Sequence, residues 1–218
     1  MDSTFNPIVQ TLALTMGVAW ASGLNLYAAI LLLGLLGATG HLTLPEQLQI
    51  LASPLVMLAA AFMYLVEFFA DKTPGFDSGW DAVHTFIRIP AGAALAAGAV
   101  GELNPAVAIA AAIVGGGLTA GVHATKAGSR VLINSSPEPF SNWVASVAED
   151  LLVIGGLFAA LYHPWLFLGL LLLFILLMIW LLPRLWRGLK RLFGYLGRLF
   201  GGPAPPPAAG TGSGPPPS

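Results

Sequence analysis

The chain has 218 residues, 56% of them hydrophobic and only 9% charged, with a formal net charge of -1 and a mean hydropathy of +0.81. Soluble domains carry about 25% charged residues, so a water-soluble globule is excluded and a polytopic membrane protein is indicated. The absence of cysteine excludes disulfides, thiolate metal centres and cysteine nucleophiles.

Cutting the chain at its polar turns leaves six apolar runs, at 8–37, 51–70, 80–100, 105–126, 143–162 and 164–182. Each reaches roughly the ~20 residues that a helix needs to cross the hydrocarbon layer. The expected fold is therefore an all-α transmembrane bundle of about six spans over residues 1–183, followed by a basic interfacial helix at 184–200 and a disordered tail at 201–218. The first run is too long for one perpendicular crossing, and Ser22-Gly23-Leu24-Asn25 is where a break is expected, because glycine weakens a helix. No Lys or Arg precedes this run, so Ala19-Trp20-Ala21 is not read as the cleavage site of a leader.

The second run ends in Glu67 and Asp71, one helical turn apart, and leads into the turn TPGFDSGWDAVHTFIR at 73–88. A matching turn, SPEPFSNWVASVAED, occupies 136–150, and in each a proline precedes a tryptophan by six residues. The match predicts one hairpin design used twice, with Trp80 and Trp143 marking equivalent levels and both turns on one face. Asp77, Asp81, His84 and Arg88 recur at spacings of four, three and four, which sets them along one helical face. Ser78-Gly79-Trp80-Asp81 is also a capping pattern, so Asp81 is read equally as a helix cap.

Pro105 and Pro164 stand where the first turn of a helix accepts proline. Along the fourth run, Gly115-Gly116-Gly117 and Thr119 echo the glycine break of the first, and small residues of this kind let helices approach closely. His123, Lys126 and Arg130 then form a second polar stripe at spacings of three and four. On the fifth run Asn142 precedes Glu149 and Asp150, which lie six and seven residues past Trp143, while Arg88 lies eight past Trp80. At about 1.5 Å per residue these groups share a depth, roughly 9–12 Å beyond the tryptophans. The expected partner of Arg88 is therefore Glu149 or Asp150. Lys72, Asp71 and Glu138 are read as solvated loop charges, and His41 and His163 as turn residues.

Arg184, Arg187, Lys190, Arg191 and Arg198 follow the last span, interleaved with leucines at helical spacing. That composition suits a helix lying on anionic lipid. The positive-inside rule places this end in the cytoplasm, and six spans would put the N-terminus there as well, in an inner (plasma) membrane. Residues 201–218 contain only Pro, Gly, Ala, Ser and Thr and cannot bury a core.

The glycine-containing break, Glu67 followed by Pro74 and Asp77, the Asp77-x-x-x-Asp81 pair with Thr85, the triple glycine, Ala127-Gly128-Ser129, and Asn142 seven before Glu149 together resemble the domain of unknown function 4126 family of small bacterial integral membrane proteins. The resemblance covers about residues 10–200. It implies a helical membrane fold and no assigned activity.

Ionisable groups within membrane helices point by default to ion or proton handling. The candidate ion or proton site comprises Glu67, Asp77, Asp81, His84, Arg88, His123, Lys126, Arg130, Asn142, Glu149 and Asp150, in an ion- or proton-linked transporter or channel. A non-transporting scaffold or lipid-binding protein with structural ion pairs is the alternative. No P-loop, GxGxxG, zinc-protease helix or GxSxG elbow is present, which gives an enzyme reading little to stand on and leaves a membrane-embedded enzyme as a remote third alternative. No cofactor, resident metal or nucleic-acid partner is expected; the expected partners are the bilayer, anionic lipid and a small ion or proton, with homo-oligomerisation left open.

Overall fold

The computed structural model describes residues 5–73, 75–101, 103–134 and 139–200, and these residues form helices and connecting turns without a strand. They comprise α1 (Phe5–Ala38), a short 3-10 helix (Glu46–Ala52), α2 (Pro54–Ala70), α3 (Phe76–Ala99), α4 (Pro105–Ile133), α5 (Pro139–Tyr162) and α6 (Pro164–Phe200). Proline opens α2, α4, α5 and α6, where its missing N–H has no intrahelical partner to lose. Five of the helices are long and apolar enough to span a bilayer, and the 3-10 helix with α2, bent by 66°, makes a sixth candidate. The chain is a multi-pass integral membrane protein.

Its outer surface is apolar, and its interior combines an apolar core with buried charge. Leu55, Leu58, Phe62, Leu65 and Phe69 of α2 and Leu166, Leu170, Leu173, Leu177 and Trp180 of α6 face outward, as lipid-facing side chains do. Glu67, Asp81, Arg88 and Lys126 are buried. The polar interior is enclosed chiefly by α1, α3 and α4, which pack on one another, with α5 laid against α1.

The break expected in the first run is present, at Asn25, whose φ of -148° and ψ of 98° are extended rather than helical. Its Oδ1 accepts the Ala28 N–H at 3.0 Å, the geometry of a helix N-cap. Residues 5–24 and 26–38 are therefore two helices joined at a single extended residue.

The two halves run in opposite senses. Pro7, Thr11 and Thr15 line a groove with Val100, Leu103 and Val107, at the α3–α4 turn. Leu24 and Tyr27 reach the levels of Arg88 and His84, deep along α3. The chain then returns, for Gly34 lies against Leu51 and Met57, and Leu48 packs over Gly98 beside the same α3–α4 turn. Helix α1 thus dips in and comes back, so its start lies at the opposite end of the bundle from the turn that follows α2.

Two further expectations need revision. The basic segment is not a separate helix after Pro183, because α6 continues unbroken from Pro164 to Phe200. Leu185 is buried and packs with Leu189 beside Gly128 of α4, so the first turns of the segment are held against the bundle. Helix α3 starts at Phe76 rather than near Trp80, and α5 at Pro139 rather than Trp143. Each tryptophan thus stands four residues past its helix start, at equivalent positions. Glu138, Pro74 and the 201–218 tail lie outside the described residues, as does the side chain of Arg198.

Candidate functional site

The helical spacings on α3 and α4 do bring their polar stripes inward. Asp77, Asp81, His84 and Arg88 are all buried, as are His123, Lys126 and Arg130 opposite them. Glu67 and Asp71 complete the cluster from the end of α2, and Glu149 from α5. Burying each of these charges costs about 2.5–3.5 kcal/mol on insertion scales, so their concentration in one interior requires mutual compensation.

Arg88 pairs with Glu67 and lies 3.3 Å from Asp81 Oδ1. Lys126 Nζ is 3.2 Å from Glu67, 3.0 Å from Asp71 and 3.3 Å from Glu149. Arg130 donates to Glu149 Oε2 at 2.7 Å and also to the backbone carbonyls of Asp71 and Asn142, each at 3.1 Å. Cations from α3 and α4 are thereby tied to carboxylates from α2, α3 and α5.

This is not the pairing expected from depth. Glu149 and Asp150 sit at the right level, but successive helical residues point about 100° apart, and α5 packs on α1 rather than on α3. Glu149 turns to Arg130 and Lys126, while Asp150 accepts from Asn25 Nδ2 and from the Tyr64 hydroxyl, each at 3.1 Å. The expected pairing of Arg88 with either residue is replaced by its contacts with Glu67 and Asp81.

The solvated reading of Asp71 and Lys72 is also overturned, since both are buried. Lys72 Nζ donates to Phe68 O and Ser146 Oγ at 3.2 Å each and stands 3.0 Å from the Phe68 ring centroid. Burial pushes this ammonium below the ordinary lysine pKa. Asp81 is not a cap, because the helix begins five residues earlier, with Gly75 at the N-cap; Asp77 lies in the first turn and accepts from the Gly75 and Ser78 amides at 3.0 and 2.6 Å.

The matched turns meet at one end of the bundle. Asn134, at the end of α4, donates to Asp77 Oδ1 at 2.6 Å and accepts from Asn142 Nδ2 at 2.5 Å. Asn134 thus joins Asp77 and Asn142 across the two turns, and the Asn142 carbonyl also accepts from Arg130.

The histidines are held through both nitrogens. Arg88 donates to His123 Nδ1 at 3.2 Å, so the ring proton lies on Nε2, which faces Thr85 Oγ1 at 2.8 Å and the Asp81 carbonyl at 3.1 Å. His84 Nδ1 donates to Trp80 O at 3.0 Å, leaving Nε2 to accept from the Tyr27 hydroxyl at 3.2 Å. The described residues include no group of three or more potential ligands placed to hold a metal ion. His41 and His163 lie in the connections between helices, away from the cluster.

The cluster also has neutral members that charge patterning could not reveal. The carbonyl of Leu24, at the end of the first half of α1, accepts from Arg88 at 3.3 Å and Lys126 at 3.0 Å. A helix end exposes unpaired carbonyls with partial negative charge, and two cations meet it here. Tyr27, Tyr64 and Asn25 add hydroxyl and amide contacts. Of these, only Asn25 left a sequence signal, as the polar end of a glycine break.

Residues 12–184 match the model of a family described as a domain of unknown function (DUF4126). No curated protein and no solved structure matches the chain.

Proposed function

The chain belongs to the DUF4126 family, and on that footing we propose that it is an inner-membrane transporter or channel in which a small cation or proton is handled by the charged cluster at the break of α1. The observation that carries this reading is the meeting of two half-helix ends with buried ionisable groups. The first half of α1 ends at Leu24 against Arg88 and Lys126, and the second starts at Asn25 against Asp150. Discontinuous helices whose ends converge on charged groups within a membrane are a recurring means of binding ions and moving them. An extended residue at this depth also introduces a natural pivot.

The positive-inside rule supports a cytoplasmic location for the end that holds the two matched turns and the start of the basic segment. The N-terminus then lies on the other side. Arg184, Arg187, Lys190 and Arg191 would meet anionic headgroups at the cytoplasmic face.

A scaffold reading draws support from one specific observation, that Arg88, Lys126 and Arg130 all already hold carboxylate partners. Reconstitution of the full-length protein in liposomes, challenged with a panel of cation gradients and a pH gradient, separates the two. Cation or proton flux above that of empty liposomes is expected. Folded, correctly inserted protein that moves none of them would favour the scaffold.

A further inference from the structure

Among the described residues, the ion-pair network sets the cations Arg88, Lys126 and Arg130 against the carboxylates Glu67, Asp71, Asp81 and Glu149. Lys72 and Asp150 lie beside it and add one charge of each sign. Asp77 lies outside the ion-pair network and accepts through Oδ1 from the Gly75 and Ser78 amides and from Asn134, while its Oδ2 has no hydrogen-bond partner. The histidines do not supply a further cation, since Arg88 donates to His123 and the contacts of His84 are met by its neutral form. One buried negative charge of the network is left without a counter-charge.

The carboxylates are not equally placed to carry it. Glu67 takes hydrogen bonds from Arg88 and Lys126, Asp71 takes one from Lys126, and Glu149 takes two from Arg130. Asp81 is fully buried, yet neither of its carboxylate oxygens has a hydrogen-bond partner. Its nearest cations are Arg88, at 3.3 Å without hydrogen-bond geometry, and Lys126 at 4.0 Å. Removing a carboxylate from water without hydrogen bonds to the charged form favours the neutral acid.

We propose that Asp81 is the proton-carrying group of the cluster, protonated in the arrangement described and exchanging its proton with water at the end where Glu149 is exposed. The proposal deepens the transport reading and rests on it for the role of that exchange. On release the acid O–H bond breaks, its electron pair stays on the carboxylate, and the proton passes to water. Glu149, the most exposed carboxylate of the network at 16%, marks the wet end.

The groups around Asp81 link its charge to the first helix. They are the Leu24 carbonyl and Tyr27 from α1, Glu67 and Asp71 from α2, His84 and Arg88 from α3, His123 and Lys126 from α4, and Glu149 from α5. Arg88 and Lys126 contact both Leu24 O and Asp81. Loss of the proton creates a new anion that draws both cations away from Leu24, freeing the half-helix end; regaining it restores the clamp.

The test uses the full chain in liposomes of phosphatidylethanolamine and phosphatidylglycerol. Infrared difference spectra of the wild type should show the carbonyl band of a protonated carboxyl that fades as the pH is raised, and Asp81→Asn should lack it. Asp81→Asn should also melt at the wild-type temperature, because an amide replaces a neutral acid, whereas Glu67→Gln should melt lower. Proton flux reported by an enclosed pH-sensitive dye should fall in Asp81→Asn to the level of empty liposomes. A wild type without the band, a band that survives in Asp81→Asn or ignores pH, or a marked loss of stability in that variant overturns the proposal. Undiminished flux in Asp81→Asn overturns it while leaving transport intact. A titrating Asp81 in a wild type that moves neither protons nor other cations overturns the transport reading instead.

Discussion

Arg88 is the residue on which most of the polar interior converges. It contacts Glu67, Asp81, His123 and the Leu24 carbonyl, all without access to solvent. Removing one partner from a buried pair leaves the other charge uncompensated, at a cost of about 3–5 kcal/mol. Arg88→Ala should therefore lower the melting temperature of the detergent-solubilised protein sharply, while Arg187→Ala, at an exposed position of α6, should stay within about 0.5 kcal/mol of the wild type. A second residue-scale prediction concerns Arg130 and Glu149, whose side chains meet at 2.7 Å. Each single neutral substitution, Arg130→Gln or Glu149→Gln, should destabilise the protein, and the double variant should recover part of the sum, with a coupling of about 0.5–3 kcal/mol. Strict additivity in thermal melts would show that Lys126 and Asp71 absorb the change.

Among the elements, α1 depends on close contact with α4 along its descending half and on the Asn25 cap at its turning point. Thr119 of α4 donates to Ala19 O at 2.8 Å, and a side chain at Gly92 of α3 would strike Thr119. Gly92→Val should thus displace the α1–α4 contact and cost about 1–3 kcal/mol, as overpacking does, read from thermal melts followed by tryptophan fluorescence. The reversal of α1 makes a sharper prediction about sidedness. A tag at the N-terminus and a cysteine introduced by His41→Cys should be reached from the same side of the membrane by impermeant reagents, and Thr73→Cys from the other. The chain contains no native cysteine to confuse the labelling. Tag and His41→Cys on opposite sides would mean that α1 crosses straight through.

At the scale of the whole molecule, the helices place apolar faces outward, and their inner faces join an apolar core to a cluster of paired charges. This arrangement suits a bilayer, where apolar burial supplies little drive for helices to associate and packing and polar contacts carry more of it. The positive-inside rule gives the basic residues of α6 a role in orienting the chain. Replacing Arg184, Arg187, Lys190 and Arg191 together with glutamine should weaken this orienting bias and yield a mixed population in a protease-accessibility assay. A uniform population in the original orientation would assign the bias to Lys72, Lys126 and Arg130.

Hydropathy and helical spacing by themselves determined that the chain is a helical membrane bundle, which faces of α3 and α4 carry charge inward, and where α1 breaks, because each of these follows from local periodicity along one element. Pairing did not follow, since Glu149 and Asp150 have the depth of Arg88 but the wrong azimuth, and azimuth between elements is set by how α5 packs on α1. Nor did the burial of Asp71 and Lys72, which read as loop charges until Lys126 of α4 and Ser146 of α5 are seen to meet them. The break at Asn25 was legible as a break, but its direction was not: only Leu48 over Gly98 and Leu24 beside Arg88 reveal that α1 turns back. A single extended residue permits many angles between two helices, and the contacts each half makes with the rest of the bundle select one.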